Sequence, residues 1–198
     1  MTGNADWFEI HRKIFHITLG IALVLTIYFD LLKDWMVFAI LIIGVIISIS
    51  SRYFDIPLIR QFLGKFEREK HLKNIPGQGV LSIFAALLII MLFFDKDIVL
   101  ASMMIWTLGD SMSAIIGRHY GKRKHPFNDS RMILGTIFGM IVATLGAWIF
   151  VRFWIALVAA CIAMALESLE LEIFGIGIDD NLLVPIISAV VMYLVMMI

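Results

Sequence analysis

Seven long apolar runs occupy most of the chain, and short polar stretches separate them. Each run approaches the roughly 20 residues that a helix needs to cross the hydrocarbon core of a bilayer. The runs are continuous rather than alternating, and only helices or closed barrels satisfy the backbone in lipid, so the pattern predicts helices. We therefore predict an all-α, polytopic membrane protein with about seven transmembrane helices. The predicted spans cover residues 14–32, 35–50, 77–94, 98–117, 133–150, 153–171 and 182–198.

The composition excludes a soluble domain of ordinary type. Of the 198 residues, 61% are hydrophobic, and the mean hydropathy is +0.96. The apolar runs leave no room for a separate soluble part, so a single membrane-embedded domain is predicted over residues 1–198. The formal net charge is zero, which gives no basic excess for binding nucleic acid. Cys161 is the only cysteine, and this excludes an internal disulfide.

The lysines and arginines are distributed unevenly between the two ends of the predicted spans. Thirteen of the 16 lie before the first span or in connections on the same side, and three lie on the other side. Cytoplasmic connections of membrane proteins carry the excess of basic residues, so the amino terminus is predicted in the cytoplasm. With an odd number of spans, the carboxyl terminus is predicted outside. The protein is accordingly expected in the cell membrane, as a multi-pass protein.

The connection between the second and third spans combines an apolar helical face with basic residues elsewhere. Its apolar residues are Ile59, Phe62, Leu63 and Phe66, and they follow Pro57. A proline at a helix start and an amphipathic pattern predict an interfacial helix on the cytoplasmic leaflet. An ordinary basic loop that only sets the topology explains the same residues.

One acid, Asp110, lies deep inside an apolar run. Asp110 falls in the fourth predicted span, about 10 Å from its inner end at a rise of about 1.5 Å per residue. A carboxylate is costly to hold in hydrocarbon, so an intramembrane acid is by default a candidate functional residue. The span leads into a basic loop with several glycines, and this segment predicts a polar site at the membrane surface. The five cations of the loop are Arg118, Lys122, Arg123, Lys124 and Arg131.

Three further segments bring polar residues to the same predicted side of the membrane. His11, Arg12, Lys13 and His16 open the first span, Glu167, Glu170 and Glu172 end the sixth, and Asp179, Asp180 and Asn181 precede the seventh. Carboxylates at a helix carboxyl terminus oppose the helix dipole, so a compensating cation or metal is expected near the glutamates. Acids for a metal and bases for phosphates at one depth predict a site for a metal-bound polyphosphate.

Several of these residues also have simpler explanations. Arg12 and Lys13 suit a topology signal before a first span, and Asp179 to Asn181 suit the amino-terminal cap of the seventh helix. Four glycines suit either close helix packing or a phosphate-binding loop. These glycines are Gly117, Gly121, Gly135 and Gly139.

The order of the polar motifs is informative. It runs His11-Arg12-Lys13-x-x-His16, Gly109-Asp110, Gly117-Arg118-x-Tyr120-Gly121-Lys122, Pro126-Phe127-Asn128, Gly135-Thr136, Glu167, and Asp179-Asp180-Asn181-Leu182 followed by Pro185. This order resembles the CTP-dependent lipid kinases, which include polyprenol (dolichol) kinases, phytol kinases and the eukaryotic CTP-using diacylglycerol kinase. The resemblance covers nearly the whole chain. The central segment is also similar to phosphatidate cytidylyltransferases, which share the use of CTP.

One block separates these two families. The cytidylyltransferases typically carry Lys-Lys-Thr-x-Glu-Gly where this chain has Arg131-Met132-Ile133-Leu134-Gly135. Many of the kinases show Lys-Ser in the same block, and Met132 stands here in place of the serine. The block, together with the motif that precedes the seventh span, favours the kinases.

The resemblance implies an enzyme that transfers the γ-phosphate of CTP to the hydroxyl of a long-chain isoprenoid alcohol at the cytoplasmic face, with Mg²⁺ as cofactor. It implies catalytic roles for Asp110, Arg118, Lys122 and Glu167, and metal contacts for Asp110, Asp179 and Asp180. It implies nucleotide contacts for Arg12, Lys13, His16, Gly117, Gly121, Asn128, Arg131, Gly135 and Asn181.

Other functions fit the same sequence. They are a CDP-lipid synthase of the phosphatidate cytidylyltransferase kind, a CTP-dependent diacylglycerol kinase, and a non-catalytic transporter or scaffold. Transporters often contain internal repeats or paired broken helices at the bilayer midplane, whereas the polar residues of this chain lie on one side. The apolar residues of a lipid groove resemble any lipid-facing surface, so the sequence does not identify the acceptor.

Overall fold

The computed structural model describes residues 3–53, 76–126, 128–169, 172–173, 176–177 and 179–198. Within these ranges the chain forms eight α-helices and one π-helical segment, Ile105–Asp110, which joins α4 to α5 in a continuous rod. The helices are α1 (Gly3–Tyr28), α2 (Asp34–Tyr53), α3 (Gln78–Phe93), α4 (Lys96–Met104), α5 (Ser111–Tyr120), α6 (Ile133–Ala147), α7 (Phe153–Glu167) and α8 (Asp180–Met196).

Each of the seven predicted spans coincides with a helix, and the fourth coincides with the rod Lys96–Tyr120. Three helices are long and apolar enough to cross a bilayer by length and composition, namely Glu9–Tyr28, Asp34–Ser51 and Lys96–Tyr120. The other four, α3, α6, α7 and α8, are shorter apolar helices. The number of crossings and their orientation stay predictions. The predicted interfacial helix after Pro57 lies outside the described residues.

Two short antiparallel hairpins depart from the all-α prediction. Strand β1 (Lys124–His125) pairs with β2 (Asn128–Met132), and β3 (Glu172–Ile173) pairs with β4 (Ile176–Gly177). Both hairpins lie in connections between apolar runs, and Pro126 in the first of them cannot continue a helix because it lacks a backbone N–H. The apolar body of the described chain is helical, as predicted.

The rod of α4, the π-helical segment and α5 lies at the centre of the bundle. It contacts α1, α6, α7 and α8, and most of it is buried. Helix α8 also packs against α3 and α7, whereas α2 packs against α3 and remains mostly exposed. Large apolar side chains such as Phe38 and Ile43 therefore face outward from α2. An apolar outer surface of this extent is what a helix bundle presents to lipid.

Glycines bring α6 close to the rod. A Cβ atom on Gly135 would collide with the backbone of Ser113 and Gly117, and one on Gly139 would lie 2.9 Å from the carbonyl oxygen of Gly109. Small residues at these positions allow two helix backbones to approach closely. Helix packing thus accounts for glycine at these positions. Nucleotide binding by Gly117, Gly121 and Gly135 stays a prediction.

Candidate active site

Acidic and basic side chains from five elements meet at one end of the bundle. They are Lys13 and His16 on α1, Asp110 at the end of the π-helical segment, Arg131 on β2, Glu167 at the end of α7 and Asp180 at the start of α8. The three acids each offer one oxygen, and these oxygens lie within 4.8 Å of one another. We call Asp110, Glu167 and Asp180 the carboxylate cluster. The structure thus brings together six residues that the sequence analysis assigned to the site.

Asp110 forms a buried ion pair with α1. The Nζ atom of Lys13 donates to Oδ2 of Asp110 at 2.5 Å, and Nδ1 of His16 lies 3.6 Å from the same oxygen. Lys13 is 1% exposed and Asp110 is 2% exposed. Buried charges persist in proteins when they are paired, so each residue makes burial of the other possible. Lys13 is therefore part of the site as well as a possible topology signal.

Arg131 contacts all three members of the carboxylate cluster. Its Nη1 atom lies 2.6 Å from Oε1 of Glu167 and 3.6 Å from Oδ1 of Asp110, and its Nη2 atom donates to Oδ2 of Asp180 at 3.0 Å. Burial would lower the pKa of the guanidinium, but the three carboxylates outweigh it and raise that pKa above its ordinary value. Arg131 is therefore a permanent cation among the acids.

The π-helical segment orients an aromatic residue that the sequence analysis did not assign to the site. The ring of His16 lies against Trp106, with 4.0 Å between centroids, while Nδ1 of His16 faces Asp110. Nε1 of Trp106 donates to Oδ1 of Asn181 at 2.9 Å. Trp106 thus connects α1 to α8 beside the acids. A tryptophan in an apolar run is ordinary, so the sequence offered no signal for this role, and π-helical turns in helices often mark functional sites.

Asp179 caps α8. Its Oδ1 atom accepts a hydrogen bond from the backbone N–H of Asn181 at 3.0 Å, which satisfies one of the free amides of the first turn. Burial raises the pKa of the Asp179 carboxyl to about 6, and the adjacent Asp180 adds to the shift. The capping explanation of Asp179 is thus correct, and the predicted metal contact through Asp179 stays a prediction.

Arg12 pairs with an acid that the sequence analysis overlooked. Its Nε and Nη2 atoms donate to the carboxylate of Glu9 at 3.1 and 2.6 Å, in the i, i+3 arrangement of neighbours on a helix face. Glu9 is buried, although it precedes the first apolar run. The spacing of three residues from Arg12 was the signal that could have found it.

The remaining predicted site residues lie around this centre. Arg118 and Lys122 are exposed, at the end of α5 and in the loop that follows, so they lie outside the buried cluster. Asn128 is buried at the start of β2. Glu170 falls outside the described residues, and Glu172 is described only through its backbone in β3. Nucleotide contacts by Arg118, Lys122 and Asn128 stay predictions.

The carboxylate cluster fits a divalent cation. Carboxylate oxygens are the hard ligands that Mg²⁺ prefers, and three of them converge here from separate elements. Among the described residues, Oε2 of Glu167 and Oδ1 of Asp110 are buried without a hydrogen-bond partner. Lys13 and Arg131 both contact these acids. Their two positive charges balance two of the three negative charges of the carboxylate cluster. Converging carboxylate oxygens without hydrogen-bond partners are an environment that suits a divalent cation.

A cavity of about 580 Å³ lies elsewhere, at the opposite end of the bundle. It is bordered by the connection between α1 and α2 and by the one between α3 and α4, with Trp35 and Phe94 in its wall. An exposed pair, Lys96 and Asp30, lies beside it with 2.6 Å between Nζ and Oδ1. None of the converging acids borders this cavity.

Comparisons with known proteins give distant relatives. The chain is 23% identical to CTP-dependent diacylglycerol kinase 1 of Saccharomyces cerevisiae over an alignment 227 residues long. The alignment covers 94% of this chain and 76% of the yeast protein. It is 22% identical over 156 residues to CTP-dependent diacylglycerol kinase 1 of Schizosaccharomyces pombe, and that alignment covers 70% of this chain and 69% of the other protein. An uncharacterized protein of Methanocaldococcus jannaschii is 24% identical over 192 residues, with 91% of each chain covered. No family model and no solved structure matches the chain.

Proposed function

We propose that this chain is a membrane-embedded, CTP-dependent lipid kinase. The observation that carries the proposal is the carboxylate cluster, in which acids from three elements converge beside Lys13 and Arg131 at one end of an apolar bundle. A lipid kinase needs acids for Mg²⁺, cations for phosphates and an acceptor that arrives through the bilayer. The names of the two yeast relatives, both CTP-dependent diacylglycerol kinases, support CTP as the donor.

The residues divide into two groups by chemistry. Asp110, Glu167 and Asp180 would hold Mg²⁺, which when bound neutralises charge on the transferred phosphoryl group. Lys13 orients the Asp110 carboxylate and balances its charge through the 2.5 Å contact. Arg131 presents a planar guanidinium, which matches phosphate as well as carboxylate geometry. The exposed Arg118 and Lys122 are suited to attract the triphosphate from the aqueous side.

The proposed reaction is an in-line phosphoryl transfer. The hydroxyl oxygen of the lipid forms a bond to the γ-phosphorus of CTP, and the bond from that phosphorus to the bridging oxygen of the β-phosphate breaks. CDP leaves, and the hydroxyl proton passes to solvent. The catalytic contribution of the protein is positioning and charge neutralisation, because the transition state needs little covalent help.

Two classes of acceptor have separate support. The family that the sequence motifs resemble includes polyprenol and dolichol kinases, which supports a long-chain isoprenoid alcohol as one candidate. The names of the yeast relatives favour diacylglycerol. Both molecules carry one free hydroxyl on a long apolar body, so both suit a site at the end of a lipid-facing bundle. We propose the cytoplasmic side of the cell membrane as the place of the reaction, on the strength of the basic residues in the connections.

The test is a transfer assay with position-specific labels. Purified protein in lipid nanodiscs is given CTP labelled at the γ or the α phosphorus, with polyprenol, geranylgeraniol, phytol, diacylglycerol or phosphatidate, and with ATP as competitor. We expect the γ label in a lipid alcohol, and the acceptor that takes it identifies the class. The α label in a lipid would instead establish a cytidylyltransferase, and no label in any lipid would favour a non-catalytic role.

One variant gives this assay an internal check. Asp110→Asn removes a buried charge at nearly constant size and is expected to lower turnover at least about 100-fold, the usual scale for an essential acid or electrostatic group. Asp97→Asn is the matched control, because Asp97 is an exposed acid on the same helical rod. Equal activity of the two variants would remove Asp110 from the proposed mechanism.

A further inference from the structure

The guanidinium of Arg131 lies among the three acids that fit a metal ion. It contacts Glu167 at 2.6 Å, Asp180 at 3.0 Å and Asp110 at 3.6 Å, so a single side chain bridges the whole carboxylate cluster. The contact with Glu167 is an ion pair without hydrogen-bond alignment, and Oε2 of the same residue is buried without a partner among the described residues. Arg131 thus holds the acids together, but among the described residues some of their carboxylate oxygens have no hydrogen-bond partner.

A guanidinium and a divalent cation compete for these oxygens. Both bind carboxylates directly, and two cations held against the same buried acids repel each other. Arg131 is also the cation of the site that has room to move. It is on the short strand β2, and its side chain is 17% exposed, whereas the side chain of Lys13 is 2% exposed. A change in its side-chain torsions would carry the guanidinium toward the open side without moving a membrane helix.

We propose that Arg131 is an exchangeable internal cation. It balances part of the negative charge of the carboxylate cluster while no nucleotide is bound, and it leaves the acids to pair with a phosphate of the nucleotide when the metal-bound nucleotide enters. This inference rests on the proposed function for the identity of the nucleotide, CTP. Its consequence is a coupling between two ligands. The cluster binds a divalent cation weakly when CTP is absent and more tightly when CTP is bound. By thermodynamic linkage, the divalent cation tightens the binding of CTP by the same factor.

The experiment measures Mn²⁺ binding to the purified full chain by electron paramagnetic resonance, with and without CTP and with no lipid acceptor. Arg131→Gln removes the competing charge, so we expect it to bind Mn²⁺ alone about tenfold more tightly than the unmodified chain, a change typical of groups that tune a metal site. CTP should tighten Mn²⁺ binding to the unmodified chain and have a markedly smaller effect on Arg131→Gln. Unchanged or weaker Mn²⁺ binding by Arg131→Gln, or an undiminished effect of CTP, overturns the proposal.

Two variants locate the signal. Arg152→Gln removes an exposed arginine at the other end of α7 and should behave like the unmodified chain. Glu167→Gln removes a carboxylate of the cluster and should weaken Mn²⁺ binding with and without CTP. If Glu167→Gln binds Mn²⁺ normally, the ion does not bind at the cluster and the proposal fails.

A loss of folding in Arg131→Gln would itself be informative. Removing the internal cation leaves the acids to repel each other, so Mn²⁺ should raise the melting temperature of Arg131→Gln by more than that of the unmodified chain. An equal or smaller rise overturns the proposal. Arg131→Lys keeps the charge without the fork and should give a smaller gain in Mn²⁺ affinity in the same direction.

These measurements are independent of the transfer reaction. If the Mn²⁺ results are as expected and no label reaches any lipid in the transfer assay, the kinase proposal fails and the exchange by Arg131 stands. If label reaches a lipid and Arg131→Gln leaves Mn²⁺ binding unchanged, the kinase stands and the exchange fails.

Discussion

The Nζ atom of Lys13 lies 2.5 Å from Oδ2 of Asp110, although the two residues are 97 positions apart in the chain. Both side chains are almost completely buried, one on the first helix and one at the end of the π-helical segment of the central rod. The pair joins the amino-terminal helix to the acid at the centre of the candidate site. Each charge is tolerated at this depth because the other is present.

Removal of either partner is expected to destabilise the protein. Lys13→Met leaves Asp110 buried without its nearest cation, and Asp110→Asn leaves Lys13 buried without its nearest anion. Each should lower the free energy of unfolding by about 3–5 kcal/mol, the scale for breaking a buried pair. The double variant should recover part of the loss, because it buries no unpaired charge. Thermal unfolding of the unmodified protein, the two single variants and the double variant, all purified in the same detergent, measures these differences in stability.

An exposed pair of the same kind is the control for this cycle. Lys96 and Asp30 lie 2.6 Å apart, with side chains 40% and 80% exposed. Lys96→Met should therefore cost at most about 1 kcal/mol. A similar melting temperature for Lys13→Met and Lys96→Met would contradict the role of the buried pair.

Asp179 and Asp180 are expected to respond differently to substitution. Asp180→Asn should raise the Mg²⁺ concentration for half-maximal activity about tenfold, because Asp180 belongs to the carboxylate cluster. Asp179→Ala should lower stability by about 1 kcal/mol through loss of the α8 cap, with an unchanged Mg²⁺ requirement. A Mg²⁺ titration and a melting curve for each variant separate the two effects. Asp179→Ser keeps a capping oxygen, so a shifted Mg²⁺ requirement in this variant would make Asp179 a metal ligand.

Close approach of α6 to the rod predicts a strong effect of one methyl group. Gly135→Ala would press its Cβ against the backbone of Ser113 and Gly117, and we expect a loss of about 1–3 kcal/mol in stability. Gly44→Ala is the matched control, since its Cβ would meet only the end of the Leu81 side chain. Melting temperatures of the two variants test the difference. An unaffected Gly135→Ala protein would show that the two helices can separate at no cost.

The predicted orientation can be tested with single cysteines. Lys124→Cys and Lys33→Cys, each in a background with Cys161→Ala, place a thiol at exposed positions on opposite predicted sides. An impermeant thiol reagent should label the cysteine at 124 only from the cytoplasmic side and the one at 33 only from outside. Labelling at 124 from outside would move the candidate site away from the cytoplasm.

The helices of this protein were predictable because each depends on its own run of residues. A continuous apolar run long enough for a bilayer has only one way to satisfy its backbone, so the positions of all seven runs agreed with helices. The hairpins were not predicted, because they lie in short polar connections where no periodic pattern indicates a strand. The π-helical segment was not predicted either, since its sequence, Ile105–Asp110, reads as part of an ordinary apolar helix.

The candidate site shows the same division. The type of each residue already indicated chemistry, because an intramembrane acid such as Asp110 and acids at a helix end such as Glu167 are costly unless something compensates them. What compensates them depends on which helices are neighbours, and that is a property of packing between residues far apart in the chain. The partnership of Lys13 with Asp110, and the role of Trp106 between His16 and α8, follow from that packing alone.

The sequence by itself determined that this protein is a bundle of apolar helices with acids and bases gathered toward one end, because hydropathy and charge act on each segment separately. Only the tertiary structure decided that Arg131 bridges three carboxylates, that Asp179 caps a helix, and that the exposed Arg118 lies outside the buried cluster. Distances of a few ångströms between side chains arise from how the helices pack, and electrostatic interactions depend on those distances and on burial.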